Sequence, residues 1–305
     1  MRALVTGDRG FLGRHFAAEL RRRGYDVTGL DTKASSAQDC RAFFRRQLTY
    51  RNPPSPTFDL VVHCAAVVGG RSTIDGDPLA TAESLSIDAE MFRWAAVARP
   101  GRVLYFSSSA AYPVWFQTKW SARSGYRLRE DDVDLDVVQQ PDQVYGWSKV
   151  TGELLAARLR DSGVPVTVVR PFSGYGEDQD EAYPFRAILG RVLRREDPLE
   201  VWGSGAQVRD WIHVDDVVAG ALAVAEAGTT EPVNLCTGRG TSFLDLARTM
   251  AAVAGYAPEV KPLPGRPAGV EYRVGDPARM HRYHRPRVRL EDGICRALGV
   301  VQPAE

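Results

Sequence analysis

A glycine pattern between a strand and a helix constrains the fold of this chain more than any other feature. Residues 2–6 are an apolar run that predicts a short buried strand, and Gly7, Gly10 and Gly13 follow it before a helical stretch at about residues 14–23. Glycine allows a tight turn and a close approach of the backbone to a ligand, and the free N–H groups at a helix N-terminus attract phosphate. The pattern therefore predicts a pyrophosphate-binding turn at the start of an α/β fold.

An acidic residue follows the next predicted strand. Residues 26–30 form that strand and Asp31 comes directly after it, roughly 20 residues beyond the glycines, where a carboxylate accepts hydrogen bonds from the adenosine ribose. The same carboxylate would repel the 2′-phosphate of NADP, so Asp31 favours NAD as the cofactor. Lys33 is close enough in the sequence to weaken this preference.

Strands and helices alternate along the rest of the chain. Apolar runs predict strands at 60–65, 102–107 and 166–170 and the start of a shorter strand at 201–202, and helical periodicity predicts helices at 82–97 and 148–160. The stretch up to about residue 58 is polar and rich in arginine, and no element is predicted there. Such alternation is typical of a parallel sheet covered by helices on both faces. A Gly-Pro-rich segment and a basic C-terminal stretch indicate a smaller appended region.

Composition excludes several classes of function. The net charge of +1 on 305 residues gives no electrostatic case for binding nucleic acid or an anionic membrane. The four cysteines are scattered, without the spacing of a zinc site, so we expect no metal and reduced thiols that serve in packing. No signal peptide is recognised and the longest apolar run is too short to span a bilayer, so we expect a cytoplasmic protein. Arginine far outnumbers lysine, which is typical of a GC-rich bacterial gene.

Tyr145 and Lys149 have the spacing of a proton-exchanging pair. Residues four apart share one face of a helix, so the Lys149 ammonium would lie beside the Tyr145 ring. A phenol alone is a poor base at neutral pH. A cation about 4 Å away, at an effective dielectric of about 20, stabilises the phenolate by roughly 4 kcal/mol. The pair therefore predicts a tyrosine that exchanges protons near neutral pH.

Six segments of the chain carry sequence motifs that occur in the same order in a known protein family. They are Thr6–Gly13 (TGDRGFLG), His63–Ala66 (HCAA), Phe106–Tyr112 (FSSSAAY), the Tyr145/Lys149 pair, Arg170–Phe172 (RPF) and Trp202–Asp216 (WGSGAQVRDWIHVDD). Together they resemble the motifs of the extended short-chain dehydrogenase/reductases, in particular the NAD-dependent nucleotide-sugar epimerase/dehydratase family. The resemblance covers nearly the whole chain.

The resemblance implies a Rossmann-type doubly wound parallel sheet with a smaller C-terminal substrate-binding region. The NAD-binding domain would comprise residues 1–172, with 207–236 returning to it, and the substrate-binding region would comprise 173–206 and 237–305. A homodimer is implied as well, with the helices predicted at 82–97 and 148–160 as its interface.

The resemblance also implies roles for individual residues. Counting back four residues from Tyr112 makes Ser108 the catalytic hydroxyl, with Ser109 as the alternative; Tyr145 would transfer the proton and Lys149 would hold the cofactor ribose. The implied cofactor-binding residues are Gly7, Arg9, Gly10, Phe11, Leu12, Asp31, Thr32, Lys33, Ala65, Ala66, Val67, Ser107, Tyr145, Lys149, Pro171 and Phe172. The implied substrate-binding residues are Gly69, Ser109, Ser173, Gln207, Arg209 and Arg266, with Arg209 and Arg266 on the diphosphate of a nucleotide sugar.

The two residues after Ser108 reduce the number of reactions that a protein of this family could catalyse with this site. Dehydratases of the family carry an Asp–Glu pair where this chain has Ser109 and Ala110. Decarboxylases of the family keep a glutamate at the second of these positions, and some epimerases use a cysteine there. This chain has Ala110 at that position, which can act neither as the glutamate nor as the cysteine. Oxidation and re-reduction at one carbon remain, which favours a C4-type nucleotide-sugar epimerase. The alternatives are a 4-keto nucleotide-sugar reductase, a dehydratase or decarboxylase, and a non-catalytic NAD-binding sensor.

Residues 114–140 form a longer connection than the family pattern has. It contains Trp115, Phe116, Trp120 and Tyr126, so it is either a lid at the mouth of the active site or a surface loop packed by its own aromatic side chains. The sequence leaves both interpretations open.

Overall fold

Six parallel strands form the main sheet of the computed structural model, which describes residues 1–49, 58–67, 77 and 79–300. In chain order they are β1 (Arg2–Thr6), β2 (Asp26–Leu30), β3 (Leu60–His63), β4 (Val103–Phe106), β5 (Val166–Pro171) and β9 (Val233–Leu235). Their order across the sheet is β2-β1-β3-β4-β5-β9, and every neighbouring pair is parallel. The predicted α/β fold with a doubly wound parallel sheet is confirmed.

Helices cover both faces of this sheet, because successive side chains of a strand point to opposite faces. Ala3 and Val5 of β1 pack against Phe16 on one face, whereas Leu4 packs with Phe44 and Trp94 on the other. The first face carries α1 (Phe11–Arg22) and α7 (Val214–Glu226), and the second carries α2 (Cys40–Thr49), α3 (Ala80–Ala98) and α5 (Gln143–Asp161).

The strand order places a crevice beside β1. This strand lies between β2 and β3, so the chain first builds the sheet to one side of β1 and then to the other. In parallel α/β sheets such a reversal opens a crevice at the C-terminal ends of the strands. Gly7 and Cys64, which follow β1 and β3, border it: the Gly7 amide donates to the Leu30 carbonyl at 2.7 Å and the Cys64 amide to the Thr6 carbonyl at 3.2 Å.

Two small sheets and three helices form the remaining core. Strand β8 (Val208–His213) lies between β10 (Gly240–Ser242) and β12 (Tyr272–Arg273) and also pairs with β6 (Ser173–Tyr175), while β7 (Leu199–Trp202) pairs with β11 (Val260–Leu263). The helices α6 (Pro184–Leu193), α8 (Phe243–Val253) and α9 (Leu290–Leu298) pack around a core that includes Tyr175, Phe185, Trp211 and Leu246. The register of β12 puts Arg273 directly opposite Arg209 of β8.

Several predicted elements have different limits in the structure. Helix α1 begins at Phe11, directly after Gly10, and α5 begins at Gln143, so Tyr145 lies in its first turn. Helix α2 occupies part of the arginine-rich stretch where no element was predicted, and it buries Cys40 and Phe44. The division into two domains stays a prediction. Within the segment 207–236, β9 joins the main sheet, whereas β8 lies in the four-stranded sheet.

The connection at 114–140 is a packed part of the fold. It contains the short helix α4 (Lys119–Ser124) between single 3-10 turns at Val114–Phe116 and Glu130–Asp132. Leu128 and Val133 are buried in a cluster with Tyr112 and Phe172, and the Phe116 ring stacks on the Tyr126 ring at 5.6 Å. Phe116 and Tyr126 thus pack within the connection, whereas Trp115 and Trp120 are exposed, and both interpretations of the connection stay predictions.

Across the ranges 1–49, 58–67 and 79–300, no helix is both long enough and apolar enough to cross a bilayer.

Candidate active site

The glycine turn after β1 leaves no room for side chains. A Cβ on Gly13 would lie 1.9 Å from the Gly7 carbonyl oxygen, and a Cβ on Gly7, whose φ is +69°, would lie 2.9 Å from the Ala65 amide nitrogen. Gly10 caps α1 without a side chain, so the first N–H groups of that helix remain open to the crevice. The backbone can thus contact an anionic ligand directly at a helix N-terminus.

Two carboxylates lie at the far end of this turn. Asp31 accepts hydrogen bonds from the backbone N–H groups of Arg9 at 3.0 Å and Lys33 at 2.8 Å, which fix its side chain at the edge of the crevice. Asp8 packs beneath β2, where burial and then the neighbouring charge of Asp31 raise the pKa of the Asp8 carboxyl. One buried oxygen of Asp8 has no hydrogen-bond partner in the described parts of the chain. Asp31, which lines the crevice, would repel a 2′-phosphate and can accept hydrogen bonds from ribose hydroxyls.

The crevice is a cavity of about 830 Å³, here called the larger cavity. Every predicted cofactor-binding residue except Arg9 lines it, including the glycine turn, Asp31, the Ala65–Val67 backbone, Lys149 and Phe172. Arg9 contributes its backbone N–H to Asp31 instead. The side-chain-free turn, the open helix N-terminus and the ribose-facing carboxylate fit a dinucleotide such as NAD. Tyr183, which sequence reasoning missed, also lines this cavity.

Three serines follow β4, and the structure gives each a different environment. Ser107 is buried and its hydroxyl donates to the Glu153 carboxylate. The Ser108 hydroxyl accepts the Ala110 amide N–H at 3.1 Å, which leaves its own hydrogen available to a ligand. Ser108 lines both the larger cavity and a second one described below, whereas Ser109 lines the larger cavity only. This placement favours Ser108 over Ser109 as the reacting hydroxyl.

Tyr145 and Lys149 share one face of α5 and both line the larger cavity. The Lys149 Nζ atom lies 5.8 Å from the centroid of the Tyr145 ring and 5.4 Å from that of the Tyr105 ring. It donates a hydrogen bond to the Phe106 carbonyl at 3.0 Å, which ties the helix to the end of β4. The ammonium is thus held beside the phenol, as the four-residue spacing predicts.

A buried ion pair anchors α5 to β5. The Arg170 Nε and one of its terminal nitrogens donate to the two oxygens of the Glu153 carboxylate at 2.8 and 2.7 Å, and both side chains are inaccessible to solvent. Burial lowers the pKa of Arg170, but the Glu153 charge and hydrogen bonds outweigh burial and raise it. Because Glu153 also accepts from Ser107, the pair connects the catalytic helix to the serine turn.

A smaller cavity of about 420 Å³ adjoins the larger one. Seven residues line both cavities and mark their junction: Ser108, Tyr145, Ala182, Pro184, Arg209, Phe243 and Arg273. Gln207 and Arg209 come from the start of β8, where the Arg209 guanidinium donates to the Val208 carbonyl at 2.9 Å and lies 5.5 Å from the Phe243 ring. Trp202 and Arg191 line the smaller cavity only.

Arg273 is a site residue that sequence reasoning missed. It lies opposite Arg209 in the neighbouring strand, donates to the Asp142 carboxylate at 2.6 Å and donates through Nε to Gln117 of the 114–140 connection. Gln117 in turn donates to the Tyr112 carbonyl at 2.9 Å. The 114–140 connection thus contacts the site through Arg273. A two-residue strand with no motif of its own gave no sequence signal for it.

The other predicted substrate-binding residues are placed differently from one another. Ser173 lies at the start of β6 and lines the larger cavity. Arg266 is exposed, and its guanidinium lies 5.5 Å from the Trp202 ring without lining either cavity. Gly69 lies outside the described residues. The roles of all these residues stay predictions.

The acid–base groups of the smaller cavity are few. Besides Tyr145 and Ser108, its lining includes the carboxylates of Asp142 and Glu181, and Asp142 is ion-paired with Arg273. Ala110 also lines this cavity and brings no proton-transferring group. In the part of the chain that the structure describes, no group of three or more His, Cys, Asp or Glu side chains is arranged to share a metal ion.

Comparisons with known proteins agree with this geometry. A family model described as the NAD dependent epimerase/dehydratase family matches residues 3–236. A dTDP-4-dehydro-6-deoxy-D-allose reductase of Streptomyces bikiniensis is 30% identical over 311 residues, which cover 91% of this chain and 88% of the reductase.

Solved structures give the same result. A UDP-glucose 4-epimerase of Thermotoga maritima superposes with a TM-score of 0.81 and 25% identity over 96% of each chain. A dTDP-glucose 4,6-dehydratase of Streptomyces venezuelae has a TM-score of 0.80 at 24% identity, covering 98% of this chain and 96% of its own, and shows the shared fold. The NAD dependence of the matching family confirms the predicted cofactor. The chain belongs to the NAD-dependent epimerase/dehydratase family of extended short-chain dehydrogenase/reductases.

Proposed function

We propose that this protein is an NAD-dependent nucleotide-sugar epimerase that inverts the configuration of one sugar carbon, C4. The observation that carries the proposal is the junction of the two cavities, where Ser108 and Tyr145 are the hydroxyl groups on both linings. A sugar in the smaller cavity would meet these hydroxyls at the point where a cofactor in the larger cavity can reach it.

The residues at the junction can perform both halves of the reaction. Tyr145 takes the proton of the C4 hydroxyl, while Ser108 donates a hydrogen bond to the same oxygen, and the carbon becomes a ketone. NAD, when bound, supplies the hydride acceptor and afterwards the hydride donor. Tyr145 returns its proton after the ketone has been reduced on its other face. Lys149 stabilises the phenolate form of Tyr145 before the proton is taken and after it is returned, and Arg209 holds the diphosphate by charge-assisted hydrogen bonds.

Elimination of water and decarboxylation receive less support from this site. Dehydration requires an additional acid and base next to the reacting carbon, and Ser109 and Ala110 follow the catalytic serine instead. Asp142, one of the carboxylates on the smaller cavity, is engaged by Arg273 at 2.6 Å. Proton transfer by hydroxyls alone is sufficient for oxidation and re-reduction at one carbon.

A 4-keto nucleotide-sugar reductase is the second candidate. It is favoured by the relatives from Streptomyces bikiniensis and another Streptomyces, both named dTDP-4-dehydro-6-deoxy-D-allose reductase and both 30% identical to this chain. Such a reaction consumes one reduced cofactor per turnover, whereas epimerisation leaves the cofactor balance unchanged. The Asp31 carboxylate at the adenosine end supports NAD, which suits a redox-neutral cycle.

The test is a panel of UDP-, dTDP-, GDP- and ADP-sugars incubated with the purified protein and analysed by mass spectrometry and NMR. We expect one substrate to keep its mass and to invert at C4 without net change in NADH absorbance. Loss of water or of CO₂ would establish the dehydratase or decarboxylase alternative. Stoichiometric consumption of NADH or NADPH with a keto-sugar would establish the reductase.

The catalytic assignment is tested by Tyr145→Phe. Removal of the phenol hydroxyl deletes the acid–base group and leaves the cavity shape, so turnover falls by about 10²–10⁴-fold while NAD binding is retained. Tyr256→Phe is the matched control, because Tyr256 packs on Arg195 and lines neither cavity. A Tyr145→Phe enzyme with the activity of the wild type would overturn the assignment.

We further propose a homodimer in which α3 and α5 of one protomer pack against those of its partner. Exposed apolar side chains on these helices, Val97, Val144, Trp147 and Leu154, support the proposal.

A further inference from the structure

Lys149 is a buried cation without an ion-pair partner among the described residues. Its side chain is 4% exposed, and its ammonium donates to a backbone carbonyl, that of Phe106. An ammonium removed from water is strongly destabilised unless a negative charge compensates it. A buried anion near Lys149 would stabilise this charge.

Asp88 of helix α3 is a buried carboxylate at the hydroxyl end of the Tyr105 side chain. It is 2% exposed, accepts the Tyr105 hydroxyl at 2.6 Å and lies 3.1 Å from the His63 Nε2 atom. The Lys149 Nζ atom lies over the same tyrosine ring, 5.4 Å from its centroid. Tyr105 thus contacts both the buried cation, through its ring, and the buried anion, through its hydroxyl.

Two side chains contact the Asp88 carboxylate directly, the Tyr105 hydroxyl and the His63 ring. On the other side of that ring, His63 Nδ1 lies 2.9 Å from the Thr6 hydroxyl, which accepts the Ala65 amide at 3.1 Å. Burial and then the Asp88 charge raise the pKa of Tyr105 well above its usual value, which keeps this phenol a donor.

Asp88 and Lys149 interact electrostatically across the ring. Burial alone would raise the pKa of the Asp88 carboxyl. The Lys149 charge, followed by the hydrogen bond and the charge of His63 and the hydrogen bond from Tyr105, outweighs burial and lowers that pKa below its usual value. Because the attraction between two charges is mutual, ionised Asp88 stabilises the Lys149 ammonium by the same energy.

Other titratable groups face the same region from the neighbouring elements. They are Tyr145 and Glu153 on α5, Tyr105 on β4, His63 and Cys64 on and after β3, and Arg170 on β5. The Glu153 charge is matched by Arg170 at 2.7 Å. Burial raises the pKa of the Cys64 thiol, which keeps it neutral. Within the described ranges, Asp88 is therefore the buried carboxylate left to compensate Lys149.

Helix α5 is held in the register that this arrangement needs. A Cβ on Gly152 would lie 1.8 Å from the Tyr105 hydroxyl oxygen, so α5 packs directly against the hydroxyl that donates to Asp88. Gly152 lies one turn beyond Lys149. The distance between the lysine and the tyrosine ring is thus fixed by the packing of the helix on the sheet.

We propose that Asp88, acting through the Tyr105 hydroxyl, is the buried counter-charge of Lys149, and that its removal shifts the pH range in which the Tyr145/Lys149 pair is active. The proposal rests on the proposed role of Tyr145 as acid and base. Asp88 touches neither cavity lining and is a positioning residue. Its charge acts on the reaction only through Lys149.

Asp88→Asn tests the proposal, with a predicted sign. Loss of a buried negative charge favours nearby anions and disfavours nearby cations, so both members of the coupled pair release their protons at lower pH. We expect both limbs of the bell-shaped profile of kcat to move to lower pH, the alkaline limb by about one pH unit. Glu90→Gln is the matched control, since Glu90 lies on the same helix but pairs with Arg45 of α2, and it leaves both limbs in place.

A second measurement needs no substrate. The tyrosinate absorbance of Tyr145, obtained as the difference between each protein and its Tyr145→Phe counterpart, is titrated against pH. We expect it to rise at lower pH in Asp88→Asn than in the parent. If the parent itself ionises like a free phenol, the proposed role of Tyr145 fails. If the parent shows the expected titration but the titration curve and the pH–kcat limbs of Asp88→Asn coincide with those of the parent, the inference about Asp88 is overturned and the proposed function stands.

A double variant covers the case in which Asp88→Asn does not fold. In Asp88→Asn, the amide N–H₂ of the asparagine would face the hydrogen of the Tyr105 hydroxyl, and two donors would be left without an acceptor. The double variant Asp88→Asn/Tyr105→Phe removes the tyrosine hydroxyl and with it this mismatch. We expect the same downward shift of both limbs in the double variant relative to Tyr105→Phe alone. A lower maximum with unmoved limbs would show that Asp88 is only structural and would overturn the proposal.

Discussion

Gly13 shows how one residue controls the cofactor turn. An added Cβ would lie 1.9 Å from the Gly7 carbonyl oxygen, so Gly13→Ala must displace the backbone that approaches the pyrophosphate. We expect NAD to bind about tenfold more weakly or worse, and the fold to lose about 1–3 kcal/mol of stability. Calorimetric titration with NAD and urea unfolding measure the two effects.

Gly265→Ala is the control for this substitution, because a Cβ at that position would meet no atom within 4 Å. We expect its NAD affinity and its stability to equal those of the wild type. A Gly13→Ala protein that binds NAD normally would contradict the assignment of this turn to the pyrophosphate.

Individual site residues could be predicted where a motif carries them. The glycines, Asp31, Ser108, Tyr145 and Lys149 lie where their motifs indicate, because each motif is a local strand-to-helix or helical feature. Arg273 had no such signal, since its position depends on β12 pairing with β8. Arg266, which the resemblance implied on the diphosphate, lies at the surface against Trp202, and its role stays a prediction.

At the level of secondary-structure elements, the Arg170–Glu153 pair holds α5 on β5. Arg170→Met would leave the Glu153 carboxylate buried without its cation, which costs about 3–5 kcal/mol of folding free energy. We expect urea unfolding to show this loss, with a smaller loss in the double variant Arg170→Met/Glu153→Leu, where no charge is left unpaired. Equal losses in the single and double variants would show that the charge itself is unimportant.

The elements themselves were predictable to different degrees. Strand β2 was predicted with its observed limits because an apolar run ends in a single acidic residue. Helix α2 was missed because its arginines mask a short buried side, on which Cys40 and Phe44 reach the core. Helix α5 begins earlier than predicted, since Gly146 lies in its first turn and weakens the helical pattern there.

For the whole molecule, the proposed dimer gives a direct test. Trp147 is partly exposed on α5, and a charge in its place would enter an apolar interface between protomers. We expect the wild type to sediment as a dimer and Trp147→Arg to sediment as a monomer. Val138→Arg is the control, because Val138 is exposed on the 114–140 connection and not on α3 or α5, and it leaves the dimer intact. A wild-type protein that is monomeric at all concentrations would contradict the proposal.

The fold and the family of this molecule could be read from the order of its motifs, whereas the reaction could not. The main sheet follows from successive local βαβ units, and each unit is visible in the sequence. The smaller cavity is built from segments near residues 110, 142, 184, 207 and 273, which only the folded chain brings together. Ser109 and Ala110 argue locally against dehydration, whereas the shape of this cavity and its partners, which bear on the choice between epimerase and reductase, are not encoded in any local pattern.

The position of Arg273 has a consequence for how the protein matures. Its hydrogen-bond partners Gln117 and Asp142 precede it by 156 and 131 residues, so these contacts close long loops and form late. The glycine turn, in contrast, joins residues next to one another at the very start of the chain. During synthesis, which proceeds from the N-terminus, the glycine turn can form before the strand that carries Arg273 has left the ribosome, whereas the linings of both cavities are complete only when that strand is in place.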